Sequence, residues 1–226
     1  MNKILVYSSI GDISNFYKDW LHPDCSYAFN YYGDNPNRVK ELKSIATYFT
    51  HLKGTKFNLF SKLVNDLPKF DYYVLPDDDL NLKGEDIIQM VNHMEDKNYG
   101  VASPSHSPLG RISWPIMRTQ LNSETRETEF VEMTGVIFSR EEIEKFLSAY
   151  IPYSDQMDGW GVDHIIHSVC RKPFVIFDNI SVVNPTNEQK GIQKREIDTF
   201  LAGRSGMHMW LNVLKDSNNN FVEYKK

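Results

Sequence analysis

The run Tyr72-Tyr73-Val74-Leu75 stops at Pro76 and passes at once into three carboxylates, Asp77-Asp78-Asp79. Four aromatic and β-branched or aliphatic side chains are too short a stretch for a helix and predict a buried strand. Three adjacent carboxylates repel one another, and desolvating them together without a cation is costly. The strand therefore opens onto one of two things. One is a solvated acidic turn, since Pro followed by Asp is ordinary turn chemistry. The other is a site for a hard divalent cation held by oxygen ligands. Asp77 and Asp79, two residues apart, can face one ion if the chain bends after Pro76.

The remaining segments supply an α/β frame. Strands are expected over residues 3–7, 27–32, 72–75, 101–103, 130–138 and 174–177. Helices are expected over 12–20, 53–67, 84–97, 139–150, 165–171 and 194–204. A turn cluster occupies 33–37, residues 104–129 look irregular, and the tail from 216 looks poorly ordered. Alternating strands and helices point to the α/β class, and 226 residues without repeats or linkers make one sizeable domain. Ser139-Arg140-Glu141-Glu142 fits a capping box at a helix start.

A net charge of −5 excludes the broad basic surface that nucleic acid requires. It leaves room for an anionic ligand, because a few lysines, arginines or backbone N–H groups hold a phosphate. The two cysteines, Cys25 and Cys170, read as reduced thiols of an intracellular protein, so a cytoplasmic location is expected. The first apolar run is too short for a signal peptide. No stretch approaches the ~20 apolar residues of a membrane helix.

Several side chains carry candidate chemistry. Tyr7, Ser8 and Ser9 end the first strand, where an open α/β sheet forms its ligand crevice. Lys56 lies off the apolar stripe Phe57, Phe60, Val64 and Leu67, and is either an exposed lysine or a phosphate partner. Arg111, Trp114 and Arg118 lie in the irregular segment, where Trp114 either stacks on a sugar or base or anchors the loop. A second acidic turn, Asp158-Gly159-Trp160-Gly161-Val162-Asp163, follows about eighty residues after the first. Its glycines permit a sharp bend, and Asp163 is placed to cap the next helix.

Taken in order, these pieces resemble the nucleotide-sugar glycosyltransferases of the GT-A fold. The resemblance runs through Tyr31-Tyr32-Gly33-Asp34, Lys56, Asp77-Asp78-Asp79, Ser113-Trp114, Phe130-Val131-Glu132-Met133 and Gly159-Trp160-Gly161-Val162-Asp163. The nearest named pattern is the DUF707 family of GT-A-like proteins. A short stand-alone domain also resembles the glycosyltransferases with which large algal viruses decorate their capsid protein, which would place it in the host cytoplasm. The resemblance implies a single GT-A-like domain, a Rossmann-like nucleotide-binding half with a mixed central sheet flanked by helices. About residues 1–103 would bind the nucleotide sugar, and about 104–215 the acceptor and the catalytic groups.

The function so implied is metal-dependent transfer of a hexose from a nucleoside-diphosphate sugar, most commonly UDP-linked, to a hydroxyl of a glycan or glycoprotein. Mn²⁺ or Mg²⁺ would offset the charge developing on the leaving diphosphate. Asp79 and Asp77 match the metal positions, with Asp77 or Asp78 nearer the ribose, and Tyr7, Ser8, Ser9 and Lys56 on the donor side. A late histidine completes the metal sphere in this fold. Here the usual His-Pro position reads Asn184-Pro185, leaving His208 as the candidate. For an inverting reaction, Asp158 or Asp163 would take the acceptor proton, with Arg111, Trp114, Glu132 and Trp160 at the acceptor. The alternative is a nucleotide-sugar or carbohydrate-binding module without turnover. A metal-dependent phosphoesterase calls for more acidic or histidine ligands than these.

Overall fold

In the computed structural model, which describes residues 3–157, 159–190, 206–217 and 220–225, β1 (Ile4–Ile10) is buried along its whole length. Its side chains alternate between two cores: Leu5 and Tyr7 join one, Ile4, Val6 and Ile10 the other. A strand apolar on both faces must be covered by helices on both faces, which is the position of a central parallel strand. β2 (Cys25–Tyr31) and β4 (Tyr72–Pro76) flank it in parallel, and β3 (Tyr48–His51) extends the parallel edge beyond β2.

The sheet then changes character. β7 (Gly135–Ser139) pairs antiparallel with both β4 and β5 (Val101–His106), β8 (Phe174–Val182) runs parallel to β5, and β6 (Thr125–Thr128) closes the edge antiparallel to β8. The result is an eight-stranded mixed sheet in the order β3-β2-β1-β4-β7-β5-β8-β6. From β1 the chain first builds outward through β2 and β3, then returns to the other side of β1 as β4. The reversal leaves a crevice beyond the C-terminal ends of β1 and β4, where ligands bind in open α/β sheets. The acidic triplet lies at that point.

On one face, α2 (Lys56–Leu63), α4 (Arg140–Tyr150) and α5 (Val162–Val169) bring Phe57, Phe60, Phe146, Tyr150, Ile165 and Ile166 against Leu5, Tyr7 and Leu75. On the other, α3 (Gly84–Lys97) sets Ile87, Met90, Val91 and Met94 over Val6, Phe29 and Val74. Burying each such side chain contributes about 1.5–3 kcal/mol. Cys170 belongs to the first core and Cys25 packs beside the second, so the sheet lies between the two thiols; both are free. No helix among the described residues is long and apolar enough to cross a membrane.

Several expected elements differ. Residues 12–20 form one 3-10 turn, Phe16–Lys18, rather than a helix. The turn cluster at 33–37 is in fact a helix start. Pro36 takes the first position and the Asn35 side chain accepts from the Asn37 N–H at 2.9 Å, opening α1 (Pro36–Ile45). The irregular stretch contains the end of β5, a 3-10 turn at Pro115–Met117 and the whole of β6. The expected strand over 130–138 begins only at Gly135. α4 starts at Arg140 after Ser139, but no side-chain cap bond forms there. Glu142 is fully buried and accepts from the Arg171 N–H (2.8 Å) and from Lys145 (2.9 Å) instead, which removes it from the capping box. Where the tail is described it is tied down: the Val222 N–H bonds Ser168 Oγ at 2.7 Å and the Tyr224 N–H bonds His164 Nδ1 at 2.9 Å. The expected helix at 194–204 lies outside the described residues.

Candidate functional site

The acidic triplet is held from three sides. The Asp77 N–H donates to Thr134 O at 2.7 Å and the Leu80 N–H to Asp77 O at 3.2 Å, so the chain turns sharply as it leaves β4. The Lys56 ammonium, nearly buried in the first turn of α2, donates to Asp77 Oδ1 (2.6 Å), Leu75 O (2.8 Å) and Met133 O (3.0 Å). With three acceptors, its donors are used up on the protein. The sequence left Lys56 as either an exposed lysine or a phosphate partner; the fold places its ammonium, nearly buried, between β4 and the segment before β7.

Asp78 turns the other way. Its Oδ2 accepts from the Gly11 N–H at 2.8 Å and from the Tyr32 hydroxyl at 3.2 Å, joining the triplet to the loops after β1 and β2. Burial, then the neighbouring Asp79 and Asp77, pushes its carboxyl up to about 8 against these two donors. Asp79 is also buried. Tyr7 packs at a tilt against Phe60 with ring centroids 4.8 Å apart, and Ser8 Oγ donates to Pro76 O at 2.9 Å. Both are fully buried, and Ser9 is nearly so. These three residues sit inside the sheet, beneath the crevice.

The second acidic turn is folded against the first. Gly161 has φ +87° and is the N-cap of α5, and Gly159 has φ +115°. This left-handed geometry favours glycine, and a Cβ on Gly161 would overlap the Trp210 indole. Gly161→Ala is therefore expected to cost about 2 kcal/mol, from the backbone penalty and the displaced ring, read as a lower urea midpoint. Because Gly161 takes the cap position, Asp163 does not cap the helix as expected. It accepts instead from Trp114 Nε1 (3.1 Å, Oδ2) and from the Met133 N–H (3.1 Å, Oδ1). Burial pushes its carboxyl up to about 7; the two donors and Lys56 pull it down, and Asp77 adds to the rise. Asp158 lies outside the described residues.

Trp114 proves to be a positioned anchor. Besides Asp163, its ring meets Phe130 at 4.5 Å, His164 at 5.5 Å and Tyr224 of the returning tail at 5.8 Å. Trp160, between the two glycines of the second acidic turn, is 55% exposed, and Arg111 is exposed with its N–H on Asn184 O at 2.6 Å. Glu132 is buried. Its carboxyl is raised to about 8 by burial and by Asp163, with Ser113 and Arg111 opposing. Its side chain meets His106, a residue that sequence reasoning missed because Pro104 seemed to end β5 early. A histidine two residues beyond that proline, at the crevice end of a strand, was the available signal.

His208 is exposed on the last helix, Gly206–Asp216. Among the described residues, no three His, Cys, Asp or Glu side chains converge as a metal cage, so the expected set Asp77, Asp79 and His208 is not assembled. The donor set still suits a hard cation of one kind. Mg²⁺ is bound through one or two carboxylates with water and substrate phosphates rather than by an all-protein cage. Lys56 takes Oδ1 of Asp77, and the carboxylates of Asp77 and Asp79 would be the oxygen donors for such an ion.

No protein-family model matches the chain, and neither does any curated protein. Solved structures do. S. aureus TarS superposes over 94% of this chain and 43% of its own, with a TM-score of 0.57 and 8% identity. Residues 1–349 of TarS in complex with UDP-GlcNAc superpose over 95% of this chain and 73% of that one, with a TM-score of 0.57 and 10% identity. The same fragment in complex with UDP gives 95%, 72%, 0.53 and 10%. The chain thus spans less than half of the longer TarS chain. At such identities the likeness shows the fold: a single α/β domain with a GT-A-like mixed sheet.

Proposed function

We propose that this chain is a metal-dependent glycosyltransferase that moves a sugar from a nucleoside-diphosphate donor, UDP-linked, to a hydroxyl of a glycan or glycoprotein. The observation that carries this reading is that two carboxylate groups of different character are tied to one segment: Lys56 joins Asp77 to the Met133 carbonyl, and the Met133 N–H holds Asp163. The triplet Asp77–Asp79 offers hard oxygen ligands at the switch point of the sheet, where a cation shared with a diphosphate would sit. Asp163 is fixed by two hydrogen bonds and titrates near neutrality, which suits a general base. TarS, of like fold, was solved with UDP-GlcNAc and with UDP, which supports a UDP-linked donor.

In this reading the cation, Mn²⁺ or Mg²⁺, supplies charge neutralisation for the departing diphosphate. The protein's own groups do the rest. Asp78, anchored to Gly11 and Tyr32, fixes the triplet against the floor of the donor side. Lys56 holds Asp77 in register with the segment that bears Glu132 and Met133. Trp114 and the Met133 N–H aim the Asp163 carboxylate, which accepts the acceptor's hydroxyl proton as that oxygen attacks the anomeric carbon. Trp160 offers an apolar wall to a sugar.

A panel of nucleotide sugars with Mn²⁺ tests the proposal. One donor is expected to raise the melting temperature and to release nucleoside diphosphate when acceptor or water is present. Stabilisation without release would establish the binding-module alternative, and no response from any donor would end both readings.

A further inference from the structure

Two buried groups between the acidic turns take no part in the scheme above. His106, at the end of β5, is fully enclosed, and its Nε2 lies 3.1 Å from the Thr134 hydroxyl. Its Nδ1 faces Oε2 of Glu132 at 3.3 Å, and Glu132 is 6% exposed. Among the described residues neither Nδ1 nor Oε2 has a hydrogen-bond partner elsewhere. If Glu132 were ionised and the imidazole carried its proton on Nε2, two lone pairs would confront each other in a site closed to water. Leaving buried acceptors so costs the full desolvation of each. A proton between the two atoms satisfies both.

We propose that Glu132 and His106 work as an uncharged pair, the carboxyl proton donated to Nδ1, so that Glu132 positions the charge of the site by leaving Asp163 free to ionise. The proposal rests on the reading of Asp163 as the base. The charged groups facing the pair argue for this arrangement. Asp163 from α5 and Asp77 beyond β4 both oppose a negative charge on Glu132, while a hydrogen bond from Ser113 and the charge of Arg111, exposed on the loop after β5, favour one. Around His106 a positive charge is disfavoured by burial, with only Asp77 in its favour, and its basicity falls to about 4. Burial raises both carboxyls, and the charge of Asp163 adds to the rise at Glu132, which holds Glu132 to its proton while Asp163 ionises. Environments that separate two neighbouring carboxyls in this way divide them into a proton holder and a base. The Thr134 hydroxyl fits the same tautomer as acceptor from Nε2, and the Thr134 carbonyl receives the Asp77 N–H, so the pair is tied to the donor side as well.

Two measurements test it. Nitrogen-15 NMR of the whole protein, labelled at histidine and assigned with His106→Asn, should show His106 at pH 7 as a neutral ring protonated on Nε2. A ring protonated on Nδ1, or an imidazolium, overturns the pair whatever the enzyme's activity. The second is the pH profile of sugar transfer in Glu132→Gln, whose amide can donate to Nδ1 as the carboxyl does. With Glu132 already neutral, the acid limb near pH 7 should move by less than about 0.3 units. A shift of about a unit to lower pH would mean that Glu132 carries charge beside Asp163, and would sink the proposal. If no donor turns over, the proposed function fails while the NMR result still decides the pair.

Discussion

Asp163→Asn is expected to lower sugar transfer by about 10²–10⁴-fold, the range lost when a positioned general base is removed, with nucleotide binding retained. Asparagine keeps one acceptor oxygen for Trp114 or for the Met133 N–H and loses the proton-accepting charge. Steady-state rates beside nucleotide affinity check this: equal loss in both would implicate the fold rather than the base. In the parent protein, transfer should rise with pH through about 7 as Asp163 ionises.

The stability of the protein should run the other way. Asp163 and Glu132 are raised from about 4 to about 7 and about 8 on folding, so the native state holds protons that the unfolded chain has released. Stability contributed by these groups is present at low pH and is lost as pH rises through that window. Asp163→Asn should accordingly narrow the fall in melting temperature between pH 5 and pH 8.

Lys56→Met should cost about 3 kcal/mol. Removing one partner of a buried ion pair is strongly destabilising because it strands the other; Asp77 is 31% exposed, which moderates the loss. The two carbonyls of Leu75 and Met133 lose the same donor. Adding Asp77→Asn to Lys56→Met should restore part of the loss, and the double-mutant cycle in urea measures the coupling. Were Lys56 a phosphate ligand, Lys56→Met would instead leave stability nearly intact and weaken nucleotide binding alone.

Much of the frame was legible because β1 and β4 announce themselves. Their apolar runs, Ile4 to Tyr7 and Tyr72 to Leu75, require cover on both faces, and the carboxylates after Pro76 mark the open end of β4. The two acidic turns also stood out in the sequence, the first as three aspartates after Pro76, which admitted two readings, and the second as two aspartates around Gly159-Trp160-Gly161. What could not be read locally was decided by partners far along the chain. Asn35 looked like a turn residue and caps a helix; Glu142 looked like a cap and is drawn inward to Arg171, twenty-nine residues on. Lys56 became a strut because Met133, seventy-seven residues later, brings a carbonyl to it. The pairing of His106 with Glu132 depends on β5 and the segment before β7 meeting in space, which neither segment states alone.

The chain also carries an optical reporter of its own. Of its four tryptophans, Trp114, Trp160 and Trp210 lie around the second acidic turn, and Trp20 is sealed in the opposite core with its indole N–H on Leu80 O. Trp114 donates to the very carboxylate that an acceptor would approach, and Trp210 stacks on His164, the next residue. Molecules arriving at Asp163 should therefore change the emission of the native protein without any label, and a nucleotide confined to the donor side should leave it nearly still.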